Sequence, residues 1–165
     1  MKTKYVYGDN IDTDRIIPGK YTKTLDMSTL AQHCMEDLDP SFAATIIKGD
    51  VVVAGDNFGC GSSREQAPLA LLQSGVSLVI ARYFARIFFR NAINVGLPVI
   101  EIPDHDIERG DVLEIEIEKN YVKNITKEKV YTCNALSLVM IKIMKEGGMV
   151  NYLIKYGDYE DVAVK

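Results

Sequence analysis

The chain has no tryptophan, only two histidines and three cysteines, and no long apolar run. No stretch approaches the roughly 18 consecutive apolar residues that a membrane span requires, so an integral membrane helix is not expected. Residues Met1 to Tyr7 start basic but lead into no apolar segment, so no secretory leader is expected and the cytoplasm is the default compartment. Cys34, Cys60 and Cys133 are odd in number and far apart. That argues against a disulfide framework, and the spacing lacks the clustering of a zinc or iron–sulfur site. No metal is expected in this chain. Charge of one sign is also missing: 19 Lys and Arg stand against 23 Asp and Glu, a net charge of -4. Nothing in that balance points to nucleic acid or an anionic membrane as partner. Linkers rich in Gly, Ser or Pro and internal repeats are absent too, so residues 1–165 read as one domain, long enough to bury its own core.

What is present is an alternation of short apolar runs and helical segments. Val51–Ala54, Ser77–Ala81 and Leu97–Ile102 read as buried strands. Between them, a helix running to Ser74 and another over Phe84–Asn94 are stopped by Gly75 and Gly96. Lys4–Tyr7 is β-prone, and Ser28 caps an expected helix over Thr29–Asp37. This order predicts an α/β fold with a mostly parallel central sheet joined by right-handed crossovers. The last third differs. Asp111–Glu118 alternates apolar and acidic residues, and Tyr121–Asn124 and Lys129–Thr132 complete an antiparallel addition. Helices are expected over Leu136–Lys145 and Val150–Tyr156.

The densest chemistry lies in residues 55–65, Gly55-Asp56-Asn57-Phe58-Gly59-Cys60-Gly61-Ser62-Ser63-Arg64-Glu65. Three glycines between a strand and a helix allow positive φ and close backbone approach to a ligand. The helix start offers unpaired N–H groups, Ser62 and Ser63 add hydroxyls, and Arg64 adds a fixed positive fork. This pattern suits recognition of a small carboxylic acid. It equally suits a capping box with Ser62 as N-cap and Glu65 at N3, although Pro68 would move the start towards Glu65 or Gln66. The string is neither a P-loop nor a dinucleotide fingerprint.

Other segments are weaker. Gly8–Pro18 carries Asp9, Asp12 and Asp14 without the rest of an EF-hand loop, and reads as a turn held by side-chain-to-backbone bonds. Lys20, Thr22, Lys23 and Thr24 could grip a carboxylate or form a solvated loop. With few apolar anchors, loop 19–26 is expected to be mobile when the chain is alone. Arg82, Arg86 and Arg90, at i, i+4 and i+8, could share one helical face.

Three of these stretches together resemble the small-subunit family of isopropylmalate dehydratase: Gly8–Pro18, Gly55–Glu65 and Phe84–Pro98. The resemblance covers most of residues 5–102, and the tail matches in general character. It implies the swivelling β/β/α domain of the aconitase family. It also implies a large-subunit partner carrying a [4Fe–4S] cluster, in a heterodimer or heterotetramer, with no cofactor in this chain. Ser62 would be the base, and Ser63 and Arg64 would hold the carboxylate of a small di- or tricarboxylic acid. Lys23 and Thr24 fall in what resembles the family's specificity loop. Gln66 departs from the usual histidine. The resemblance leaves isopropylmalate, 2,3-dimethylmalate and homoaconitate open as substrates, with isopropylmalate leading. It implies inactivity without the partner. A free-standing dicarboxylate-binding module and a structural partner domain are the non-enzyme alternatives.

Overall fold

The computed structural model describes residues 1–24 and 26–157. Four short strands, β1 (Tyr5–Val6), β2 (Val51–Ala54), β3 (Leu78–Ala81) and β4 (Val99–Glu101), form a parallel sheet in the order β1-β2-β3-β4. Every residue of β2 and β3 is buried, which is why these runs are apolar without alternation. Three further strands, β5 (Leu113–Glu116), β6 (Tyr121–Asn124) and β7 (Lys129–Thr132), make an antiparallel meander.

The period-two geometry of a strand splits the parallel sheet into two cores. Val52, Ala54, Val79, Ala81 and Val99 face one way and pack with Leu71, Phe88, Ile141 and Tyr152 from the helices. Val51, Val53, Leu78, Ile80 and Ile100 face the other way and meet Leu113, Val122 and Tyr131 of the meander. The layers are therefore meander, parallel sheet, helices: the β/β/α arrangement expected. Each fully buried Val or Leu contributes roughly 1.5–3 kcal/mol.

The helices are α1 (Thr13–Ile16), α2 (Met27–Gln32), α3 (Phe42–Thr45), α4 (Gln66–Ser74), α5 (Arg86–Val95), α6 (Leu138–Lys145) and α7 (Met149–Tyr156). Gly75 and Gly96 stop α4 and α5 in the left-handed region, at φ 106° and 82°. At Gly96 only glycine fits, because a Cβ would lie 2.5 Å from the Gly147 carbonyl carbon.

Some sequence expectations shift. Asp26, not Ser28, caps α2, its Oδ1 accepting from the Ser28 amide at 2.9 Å, and the helix ends at Gln32. Thr29–Asp37 is therefore too long, because Met35 turns at φ 64° and its amide leaves the helix for the Ile16 carbonyl at 2.8 Å. Arg82 does not share a face with Arg86 and Arg90. It precedes α5 and its Nη2 donates to the His105 carbonyl at 3.2 Å. No described helix is long and apolar enough to cross a membrane.

Candidate active site

The two motif stretches that lie far apart in sequence run side by side in the fold. Beyond the β1–β2 pairing, the Gly55 amide donates to the Gly8 carbonyl at 3.1 Å and the Asn10 amide to the Asp56 carbonyl at 2.8 Å. Next, Gly59 donates to Ile11 at 2.7 Å and Thr13 to Cys60 at 2.8 Å. Side chains continue the series: Asp9 Oδ1 accepts from the Asp56 amide at 2.8 Å, and Thr13 Oγ1 donates to the Ser62 carbonyl at 3.1 Å. The acidic turn is thus a set of side-chain-to-backbone bonds, as its composition predicts. Asp12 caps α1 by accepting from the Arg15 amide at 2.9 Å.

The third motif stretch supports the other side. The Phe58 amide donates to the Tyr83 carbonyl at 3.0 Å, and Ala85 donates back to Phe58 at 2.9 Å. The Phe58 ring meets Phe88 edge-on, with centroids 5.1 Å apart. Gly59, at φ 78°, lies so close to Phe88 that a Cβ would sit 2.1 Å from the ring. Glycine is required there by space as well as by backbone angle.

Held between these supports, residues 61–63 are exposed. Gly61 adopts φ 92°. The amides of Gly61, Ser62 and Ser63 donate to no group among the described residues, whereas those of Gly59 and Arg64 are engaged with Ile11 and Ser62. The capping box does not form. Helix α4 starts at Gln66 after Glu65, without a side-chain cap, so the Ser62 and Ser63 hydroxyls are not used in capping.

Arg64 is largely covered, its side chain 21% exposed, and pairs with Asp14. Its Nη1 also reaches the Ile17 carbonyl at 3.5 Å, and its guanidinium lies against Gly19. Nη2 and Nε have no hydrogen-bond partner among the described residues. The fork is therefore bonded through Nη1 while the donors of Nη2 and Nε stay unused, an arrangement that can orient a carboxylate.

The neighbouring turn carries Lys23 and Thr24. A 3-10 segment at Gly19–Tyr21 is held by Tyr21 stacked on His33, ring centroids 3.8 Å apart, and by Lys20 paired with Glu36 at 3.1 Å. Burial pushes the Glu36 carboxyl up, but hydrogen bonds from His33 and Lys20 outweigh it and leave it below the usual range. Lys23 is exposed, and Thr24 Oγ1 accepts from the Asp26 amide at 3.0 Å. The mobility expected of loop 19–26 includes Leu25, which lies outside the described residues. Gln66 Nε2 donates to the Thr22 carbonyl at 3.1 Å, tying the first residue of α4 to this turn. The structure thus brings Ser62, Ser63 and Arg64 together beside the turn that bears Lys23 and Thr24.

Sequence reasoning marked Gln66 as a departure from the family pattern without finding its contact to Thr22, and assigned no distant partner to Thr13 or Asp14. Asp14 had a signal in the acidic turn, but nothing local says which distant segment it reaches. His105 had no signal: it is buried, and its Nε2 meets the Ala54 carbonyl at 2.8 Å.

Cys34 is wholly buried and its thiol is pushed up to about 12 by burial, far from a thiolate. Among the described residues no three His, Cys, Asp or Glu side chains group in a way that could hold a metal ion.

Residues 45–105 match the family model of the aconitase C-terminal domain. The 3-isopropylmalate dehydratase small subunit of Caldicellulosiruptor saccharolyticus is 52% identical over 149 residues, covering 89% of this chain and 86% of that protein. The 2,3-dimethylmalate dehydratase small subunit of Eubacterium barkeri is 48% identical over 158 residues, covering 93% and 97%. A crystal structure of 3-isopropylmalate dehydratase from Methanocaldococcus jannaschii matches with a TM-score of 0.87 at 46% identity, over 94% of this chain and 93% of that one. Likeness of this depth over nearly the full length, on a β/β/α frame that seats all three motif stretches around the exposed segment 61–63, places the chain in the small-subunit family of the aconitase-type dehydratases.

Proposed function

We propose that this chain is the small subunit of a hydro-lyase that interconverts 2-isopropylmalate and 3-isopropylmalate by loss and return of water, with Ser62 as its base. The observation that carries the reading is the exposed Ser62 on a braced backbone, beside unengaged amides and a half-anchored guanidinium. A serine hydroxyl is a poor base in water. It becomes a usable one only where preorganised donors and positive charge stabilise the alkoxide. The amides of 61–63, the start of α4 and Arg64 supply these.

Ser62 Oγ takes the proton from the carbon beside a carboxylate, the C–H electron pair becomes the new double bond, and the hydroxyl leaves the adjacent carbon with its own pair. Ser63 and Arg64 hold the carboxylate, and Lys23 and Thr24 line the side of the site that meets the rest of the acid. In this reading the Lewis acid that eases departure of the hydroxyl is a [4Fe–4S] cluster held by a partner large subunit. Ser62 lies open on this chain, so water is excluded only when that partner closes over it. Inactivity of the isolated chain and residence in the cytoplasm, where such biosynthesis runs, belong to the same reading.

The test is reconstitution with the cluster-bearing large subunit, wild type against Ser62→Ala. We expect turnover to fall by at least about 1,000-fold with assembly intact. A Ser62→Ala complex that keeps wild-type rates would remove the base from Ser62.

Two observations favour 2,3-dimethylmalate as substrate instead. The relative named for that acid matches 93% of this chain, and Lys23 places a point charge in the specificity turn. Assaying both acids side by side decides between them.

A further inference from the structure

We propose that Gln66 is a positioning residue for substrate selection: through its bond to the Thr22 carbonyl it sets how far the turn at 19–24 stands from Ser62–Arg64, and so how large a branch the acid can carry. This rests on the dehydratase reading above and deepens it.

Gln66 is the first residue of α4, two positions after Arg64. Its Nε2 donates to the Thr22 carbonyl at 3.1 Å, across 44 residues of sequence. The turn that receives it is a closed unit, because Thr22 Oγ1 donates back to the Gly19 carbonyl at 2.8 Å and the Thr22 amide bonds the same oxygen at 3.2 Å. Lys23 and Thr24 follow directly on Thr22, and the Thr24 amide donates to the Tyr21 carbonyl at 3.4 Å, so a bond at Thr22 positions this half of the turn.

The other attachments of the turn act elsewhere. Tyr21 on His33 and Lys20 on Glu36 fix its back against the end of α2. Arg64 against Gly19 fixes its beginning. The half that carries Lys23 is tied to the segment bearing Ser62 by Gln66 alone among the described residues. Losing that bond lets this half swing outward. The wall beside the reacting carbons then recedes, and discrimination among alkyl branches weakens. One methylene is worth about 10-fold or more in a fitted pocket, so even a small retreat is measurable.

Two measurements test this, with Gln66→Met, which keeps length but removes the donor, and Gln66→His, which restores an N–H. First, trypsin cleavage of the isolated full chain after Lys23, followed by mass spectrometry, should run about 3–10-fold faster in Gln66→Met, the net worth of one neutral hydrogen bond. Second, in the reconstituted complex, kcat/KM is compared for malates bearing 3-methyl, 3-ethyl and 3-isopropyl branches. Gln66→Met should flatten the preference at least 5-fold, through KM, with kcat within about twofold. Gln66→His should return the preference to within about twofold of wild type.

Equal cleavage of wild type and Gln66→Met, an unaltered branch preference, or a loss confined to kcat overturns the proposal. A wild-type complex inactive on every malate sinks the dehydratase reading and the selection role with it. The cleavage assay needs no turnover and decides the tether by itself.

Discussion

Thr13 Oγ1 donates to the carbonyl oxygen of Ser62 at 3.1 Å, and the two residues are 49 apart in sequence. Thr13 is 1% exposed, so the donor end of this bond lies away from water. The Ser62 carbonyl also accepts from the Arg64 amide at 2.9 Å, which pins the peptide from both sides. Thr13→Val keeps shape but removes the donor. It should cost about 1 kcal/mol of stability and lower kcat on the order of tenfold, because a displaced reacting atom is expensive in rate. Thr13→Ser should retain both. Urea unfolding and steady-state rates of the complex check this, and a kcat unmoved in Thr13→Val would show that the bond does not position Ser62.

Gly59 has no room for a side chain. Gly59→Ala combines positive φ with a Cβ 2.1 Å from Phe88, and should destabilise by about 2–4 kcal/mol. In a chain of this length that corresponds to roughly 5–15 °C in Tm. Calorimetry on Gly59→Ala, Phe88→Ala and the double variant should show the pair destabilised by less than the sum, since removing the ring relieves the clash. Simple additivity would place the strain elsewhere.

Asp14 orients the guanidinium of Arg64. Its own side chain is 57% exposed, so the pair adds little to stability and its effect is on geometry. Asp14→Asn should raise KM about 3–10-fold with kcat within about threefold, as the fork loses its anchor. Initial rates at fixed ionic strength measure it. A lower KM in Asp14→Asn would mean that Asp14 competes with the substrate for Arg64.

His105 makes the fold acid-sensitive. Burial lowers its pKa below 6.5, helped by Arg82 and opposed by the Ala54 bond, Asp106 and Asp56. The folded chain keeps the ring neutral where the unfolded chain already binds a proton. Stability from this group is therefore complete above pH 6.5 and falls as pH drops from 6.5 towards the folded value. Asp106 adds a lower window. Its carboxyl is held at about 2 by the Tyr131 hydroxyl and Lys129, against 3.8 ordinarily, so its share is lost as pH falls through that interval. Urea midpoints at pH 7, 6 and 5 should decline in wild type and decline less in His105→Gln. Parallel slopes would exonerate the histidine.

The layers were legible because they depend on local patterning. A short, β-branched apolar run bounded by glycine, such as Val51–Ala54, suits a strand covered on both faces, and Leu113–Glu116, with its interleaved glutamates, belongs to a sheet with one wet face. The exposed glycine–serine segment was legible because three glycines in seven residues announce unusual backbone: Gly59 and Gly61 take angles other residues resist, and Gly55 leaves room for Asp9. The attachments were not. Thr13 and Asp14 look ordinary in sequence, Gln66 stands out only against the family pattern, and the value of all three comes from groups 44 to 50 residues away. The competing readings of Ser62 were separated only by where α4 begins. Had the helix started three residues earlier, the same serine would have been a cap.

The pairing of residues 8–14 with 55–64 has a consequence for how the molecule is made. Neither stretch can take its working shape until the chain closes a loop of more than forty residues and aligns two parallel strands, a slow step dominated by lost chain entropy. Reactive geometry should consequently emerge late in maturation, after the buried sheet is in place, and a nascent or nicked polypeptide lacking its first segment should hold secondary structure yet have no competent serine.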